Sequence, residues 1–157
     1  MAVNNIIKRI QNIMRQDAGI NGDAQRIEQM TWMFFLKVYD TQEETWEYKD
    51  ENYKSIIPED LRWRKWAVDE KDGEALTGEA LLSFVNEKLF PTLKNLPIDA
   101  NTPRAKSIVL ETFADLNQYM KNGTLLRQVV NIVNEIEFDD ADDRHTFGDI
   151  YEGILKD

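Results

Sequence analysis

Apolar residues recur along this chain at intervals of three and four positions, which is the spacing of an amphipathic helix. The pattern predicts six helical segments, over residues 3–16, 23–44, 77–96, 103–120, 124–136 and 146–155. The second segment, which could extend to Tyr48, is apolar on most sides, as is typical of a helix buried in a bundle. No stretch shows the strict alternation of a strand. The sequence therefore predicts an all-α bundle of five to six helices.

Capping residues and prolines set the expected boundaries of these helices. Asp23 is the predicted N-cap of the second helix, and Thr102 is that of the fourth because Pro103 suits a first helical position. Pro91 is expected to bend or end the third helix. The periodicity fails over residues 52–78, which predicts a long irregular loop with one or two helical turns.

Composition narrows the classes of function. With 157 residues the chain suits one domain, and 29 acidic against 19 basic residues give a net charge of -10. This charge excludes a uniformly basic nucleic-acid module but allows a local basic patch. Cysteine is absent and His145 is the single histidine, which excludes disulfides, thiol nucleophiles and multi-histidine metal sites. A hydrolase centred on His145 is the least favoured function, and without a signal or membrane span we expect a cytoplasmic protein.

The most unusual local feature is a basic and aromatic cluster in the predicted loop. It consists of Arg62, Trp63, Arg64, Lys65 and Trp66. Cations neutralise phosphates and indole rings stack on bases, so the cluster is a candidate DNA- or partner-facing site. The alternative is that both tryptophans anchor the loop to the bundle while the cations stay in solvent.

A second basic group lies in the first 40 residues, which hold five basic and four acidic side chains. Its members are Lys8, Arg9, Arg15 and Arg26. If the first two helices pack together, these cations could line one side and face DNA or a partner. The alternative is an ordinary solvated helix face.

The tract from Glu135 to Asp143 carries six carboxylates and no cation. It lacks the glycine that a calcium-binding loop needs at its sixth position, so a solvated or partner-facing loop is favoured over a metal site. The seven glycines form neither a G-x-G sequence nor a P-loop. From the residues alone, the chain shows no catalytic apparatus, and a free-standing acidic helical adaptor that binds a protein partner is one hypothesis.

Three stretches, taken together and in order, resemble the N-terminal domain of type I restriction-modification methyltransferase subunits. They are MTWMFFLKVYD over residues 30–40, GTLLRQVVNIVNEI over residues 123–136, and the ending over residues 138–155, which closes with FGDIYEGIL. The resemblance extends over nearly the whole chain. The final segment has no helix stop signal after Leu155, which favours a longer protein over a frayed natural terminus.

The resemblance implies a subunit that methylates the N6 atom of adenine with S-adenosylmethionine. The family's cofactor loop and its Asn-Pro-Pro-aromatic motif, which holds a flipped adenine, follow the helical domain and are absent from this sequence. We therefore expect residues 1–157 to form one non-catalytic domain without cofactor or metal, and a methyltransferase domain to follow. The implied partners are a specificity subunit, a second modification subunit, a restriction subunit and the DNA around which they close.

Overall fold

The fold is taken from a computed structural model, which describes residues 3–68 and 75–137. Its elements are α1 (Val3–Met14), α2 (Gly22–Lys49), a 3-10 turn (Glu59–Leu61), α3 (Trp63–Trp66), α4 (Gly78–Ser83), a π-helical stretch (Phe84–Leu89), α5 (Phe90–Lys94), α6 (Arg104–Ala114) and α7 (Gly123–Val133). The segment from α4 to α5 is continuous, so the described residues form six helices and no strand. The predicted all-α bundle is confirmed, while the predicted segment 146–155 lies outside the described residues.

The central helix of the bundle is α2, as the sequence predicts. Its apolar middle supplies Trp32, which stacks on Trp66 with ring centroids 6.5 Å apart and meets Phe90 edge to face at 5.1 Å. Phe113 of α6 closes the same aromatic cluster by contacts with Phe90 and Phe35. Such offset and edge-to-face pairs stabilise a core beyond the area they bury. Within residues 3–68 and 75–137, no helix is both long and apolar enough to cross a membrane.

Two predicted N-caps are wrong. The cap of α2 is Asn21 rather than Asp23, which instead pairs with Arg26 within the first turn. The cap of α6 is Pro103, because the hydroxyl of Thr102 is already engaged in the preceding turn. There it accepts a hydrogen bond from the backbone N–H of Asp99 at 3.1 Å and lies 3.2 Å from a carboxylate oxygen of the same residue.

The fourth predicted helix is too long, because α6 ends at Ala114 rather than near residue 120. In the segment that follows, side chains from distant positions accept hydrogen bonds from backbone N–H groups. Asp17, Glu28 and Gln29 accept hydrogen bonds of 2.8–3.1 Å from four backbone N–H groups between residues 117 and 122. These tertiary bonds replace the helical ones and satisfy the backbone donors of this segment.

Pro91 does not end the third helix, which continues through it. In the turn before the proline the N–H of Phe90 donates to the carbonyl of Val85, five residues back. A widened π-helical turn accommodates the proline ring, which would otherwise clash with a carbonyl of the preceding turn.

The first turns of α4 and α7 meet through two glycines. A Cβ atom on Gly123 would overlap the carbonyl oxygen of Gly78, so only glycine allows this approach. Gly78 itself has a φ of +56°, in the left-handed region. This contact places α7 against α4 on one side, and α1 packs on α7 on another.

Candidate functional site

The cluster at residues 62–66 forms α3 and the residue before it, and its two tryptophans attach this turn to the bundle. Trp63 and Trp66 are only 2% and 5% exposed. The indole N–H of Trp63 donates to Oδ1 of Asn134 at 2.8 Å, and that of Trp66 donates to the carbonyl of Leu61 at 3.0 Å. Both rings therefore serve as anchors of the turn, which agrees with the first half of the alternative interpretation. Its second half, that the cations stay in solvent, is wrong for Arg62, which is buried.

Two residues of the α7 region hold the other end of the turn. The guanidinium of Arg127 donates to the carbonyls of Trp66, Ala67 and Leu76. The amide of Asn134 donates to the carbonyl of Ala67 at 2.9 Å. Arg127 is not among the site residues predicted from the sequence, although a charged residue inside an apolar helical pattern is a signal of a buried, partnered side chain. Buried arginines are seldom found without such partners, and here they are the carbonyls of Trp66 and Ala67 at the end of α3 and the carbonyl of Leu76.

The first arginine of the cluster is buried among carboxylates. Arg62 is 6% exposed, and its guanidinium approaches three acidic groups. Its nitrogen atoms lie 2.6 Å from Glu47, 3.2 Å from Glu59 and 3.6 Å from Glu43. Burial by itself would lower the pKa of Arg62, but the hydrogen bond that Arg62 donates to Glu47 and the field of Glu43 outweigh it and raise the pKa. The charge of Arg62 is thus compensated within the chain.

The remaining cations of the cluster also face carboxylates. Arg64 donates to Asp40 through Nε at 2.9 Å and lies 2.9 Å from Glu47 through Nη2. Lys65 is more open, with its side chain 52% exposed and its ammonium 3.5 Å from Glu59. The prediction that the cluster faces DNA or a partner stays a prediction, and Lys65 is its most accessible member.

Three acidic residues of α2 receive these arginines and form what we call the acidic stripe: Asp40, Glu43 and Glu47. Their spacing of three and four places them on one face of the helix. Burial raises the pKa values of Asp40 and Glu43, although arginines lie near both. Burial also opposes ionisation of Glu47, but its bonds to Arg62 and Arg64 prevail and lower its pKa.

The second predicted group is only partly brought together. Lys8 and Arg9 lie on the exposed face of α1 together with Asn5 and Asn12, and Arg15 directly follows the last residue of the helix. We call these five exposed residues the α1 face. The ammonium of Lys8 has no partner among the described residues, and Arg15 donates to the amide oxygen of Asn12 at 3.1 Å. Four of these residues line an open cleft of about 550 Å³ whose far wall is Glu135.

At the edge of this cleft, Arg9 makes two hydrogen bonds to Glu135, at 3.0 and 3.1 Å. The side-chain bond raises the pKa of Arg9. Arg26 lies apart in the first turn of α2, where it pairs with Asp23. The four cations would line one side only if α1 packed on α2. Instead α1 packs against α7.

Among residues 3–68 and 75–137, no three acidic or histidine side chains are grouped so that they could hold a metal ion. The predicted acidic tract is described only as far as Glu137. The rest of the tract and His145 lie outside the described residues.

Comparison with known proteins gives one consistent result. Residues 3–133 match the model of the family described as HsdM N-terminal domain. The chain is 54% identical over 159 aligned residues to the type I restriction enzyme EcoEI methylase subunit of Escherichia coli, covering 100% of this chain and 31% of that protein. This match confirms the resemblance stated from the sequence.

Two solved structures agree with the family match. One is the crystal structure of a modification subunit assigned to a type I restriction enzyme from Vibrio vulnificus YJ016, with a TM-score of 0.77 and 31% identity, covering 98% of this chain and 34% of that one. The other comes from work on complex assembly and conformational transition of the type I R-M system, with a TM-score of 0.77 and 35% identity over 98% of this chain and 30% of that one. The chain thus spans about a third of the length of these relatives.

Proposed function

The chain belongs to the family of HsdM N-terminal domains and is the N-terminal domain of a type I modification subunit, and we propose that it helps to assemble the modification complex and close it around DNA. Its proposed partners are a specificity subunit, a second modification subunit and a restriction subunit. The whole subunit is proposed to be a cytoplasmic adenine-N6 DNA methyltransferase that uses S-adenosylmethionine.

The residues of this chain do not fit that cofactor. None of its seven glycines forms the G-x-G loop that lets a backbone approach a nucleotide cofactor closely. We therefore place the cofactor and the reacting groups in a domain that follows residue 157.

The proposal that this domain faces DNA rests on the α1 face. No residue of α1 is acidic. The exposed cations Lys8, within the helix, and Arg15, directly after it, are about 10 Å apart along the helix axis and are flanked by amide side chains. In a chain with a net charge of -10, such a face is where a polyanion meets the least repulsion. The cations of the 62–66 cluster instead form ion pairs with the acidic stripe and Glu59.

The test uses the full-length subunit purified with its specificity subunit. The double variant Lys8→Ala/Arg15→Ala is titrated with a duplex containing the recognition site at several salt concentrations. Because each lost phosphate contact removes a released counterion, we expect weaker binding and a slope of log K against log salt that is shallower by about 1.8.

The matched control removes two exposed lysines that already face carboxylates. Lys65→Ala/Lys88→Ala deletes the same amount of charge, but these ammonium groups lie near Glu59 and Asp60. We expect DNA binding by this control to equal that of the wild type. If the control loses affinity and the α1 variant does not, the DNA-facing surface belongs to the 62–66 cluster and the assignment to α1 is overturned.

A further inference from the structure

A small slot lies between α2 and the beginning of α6, away from the α1 face. Its lining consists of Val38, Tyr39, Gln42, Trp46, Arg104, Ala105 and Ile108. The slot has a volume of about 250 Å³, which is below the roughly 300–1,000 Å³ of pockets that hold drug-sized ligands. Its size and mainly apolar lining suit one or two protruding side chains.

The geometry of the slot is maintained by Tyr39. Its hydroxyl donates to the carbonyl of Ala105 at 2.8 Å, which ties α2 to the first turn of α6. Tyr39 also packs edge to face on Trp46, with ring centroids 5.7 Å apart. The slot is therefore already formed in the free domain, and an incoming side chain needs little rearrangement.

The rim of the slot is positive, although the chain as a whole is acidic. The cation of this rim is Arg104, which lies in the first turn of α6, where acidic residues are normally favoured, and no acidic residue lies in that turn. No side chain caps this end of the helix, because the hydroxyl of Thr102 is engaged with Asp99. The nearest compensating carboxylate is Glu111, which pairs with Arg104 on the exposed surface.

We propose that this slot docks a protein segment that inserts an apolar side chain and places a neighbouring carboxylate against Arg104 and the N-terminal end of α6. The carboxylate supplies the negative charge that the first turn of α6 lacks, and the apolar side chain covers Trp46 and Ile108. A DNA backbone matches the rim but not the lining, since phosphates and sugars offer nothing to bury against an apolar slot. The proposal rests on the proposed function, because we place the segment on another subunit of the modification or restriction complex.

The segment can be identified by cross-linking in the purified complex. Gln42→p-benzoylphenylalanine places a photoreactive group at the wall of the slot, since Gln42 has no hydrogen-bond partner among the described residues. The full-length subunit carrying it is assembled with the specificity and restriction subunits and with a recognition duplex, irradiated, and analysed by mass spectrometry. We expect a cross-link to a protein segment with an apolar residue within three positions of an aspartate or glutamate.

Three variants then test the two parts of the proposal by measuring affinity for the cross-linked subunit. Ala105→Trp fills the mouth of the slot at an exposed position, and Arg104→Glu reverses the rim charge; each should weaken the affinity about tenfold or more. Glu111→Gln frees Arg104 from its competing carboxylate and should strengthen the affinity by up to about fivefold. The matched control is Arg15→Glu, the same charge reversal on the α1 face, which should leave this affinity unchanged and weaken DNA binding.

Thermal unfolding of each variant serves as the control for correct folding. Arg104→Glu should unfold at or above the wild-type temperature, because an acidic side chain suits the start of a helix. A cross-link to DNA, or to a segment without acidic residues, overturns the proposal. So does wild-type affinity in both Ala105→Trp and Arg104→Glu. Failure of the wild-type subunit to assemble or bind DNA instead overturns the proposed function.

Discussion

The cations of the 62–66 cluster and those of the α1 face differ in what the fold places opposite them. Arg62 and Arg64 lie against the acidic stripe of α2, and the first of them is almost completely buried. Lys8 and Arg15 face solvent with amide side chains as neighbours. The denser cluster thus offers less positive charge to a ligand than the sparser helix does. Carboxylates supplied by tertiary contacts, rather than the local density of cations, decide how much charge is available.

The largest expected effect comes from removing the buried guanidinium. Arg62→Met leaves Glu43 buried without its cation, and loss of one partner from a buried pair costs about 3–5 kcal/mol. Urea unfolding of the chain should show this loss, whereas Arg15→Met on the α1 face should stay within about 0.5 kcal/mol of the wild type. Equal losses in the two variants would contradict the comparison.

A smaller effect is expected from the anchors of the turn. Trp63→Phe keeps an aromatic ring but leaves Oδ1 of Asn134 without its donor, which costs about 1–3 kcal/mol. Trp46→Phe is the matched control, because the indole N–H of Trp46 has no acceptor among the described residues. The control should lose less stability in the same urea titration. If the two losses are equal, the bond to Asn134 does not hold the turn.

A change in pH should affect stability in opposite directions through Glu43 and Glu47, two members of the acidic stripe. Because burial raises the folded-state pKa of Glu43 above its ordinary value of 4.5, its ionisation destabilises the fold at neutral pH. The wild type should therefore gain stability relative to Glu43→Gln as the pH falls from 7 towards 4.5. Glu47 has a lowered pKa, so the wild type should lose stability relative to Glu47→Gln as the pH falls through that folded-state pKa. Parallel pH profiles for the two variants would exclude opposite environments for these carboxyl groups.

The smallest effect is expected at the most exposed cation of the cluster. Lys65→Ala breaks an exposed pair with Glu59 and should change the free energy of unfolding by no more than about 0.5 kcal/mol. Lys8→Ala is its counterpart on the α1 face and should behave alike. A loss at Lys65 comparable to that at Arg62 would mean that position in the cluster, rather than burial, sets the stability.

The sequence predicts the parts of the fold that depend on local periodicity. The pattern predicts the central helix over residues 23–44, with an extension that could reach Tyr48, and its observed extent is Gly22–Lys49. Predictions failed where a distant side chain intervenes. The fourth predicted helix ends at Ala114 because Glu28, Gln29 and Asp17 accept hydrogen bonds from the backbone that follows it. No residue near Ala114 in the sequence indicates these distant partners.

The candidate site divides in the same way. The sequence identified every cation and indole of the 62–66 cluster and also named the anchoring alternative that the structure supports for Trp63 and Trp66. It did not identify Arg127, which holds the end of α3 from a position 60 residues away. Nor could it identify the slot, whose walls come from α2 and α6 and become adjacent only when these helices pack.

Helical spacing, apolar faces and family resemblance were sufficient to establish an all-α modification-subunit domain, because each is written in residues that are close in sequence or in fixed order. Which cations remain available was decided by tertiary structure. Glu59 is a local partner of Arg62, but Glu47 and Asp40, which accept hydrogen bonds from Arg62 and Arg64, lie 15 and 24 positions earlier, and α2 brings them into range only when the loop has folded back. Electrostatic compensation depends on distance in space, so a pattern read along the chain cannot assign it.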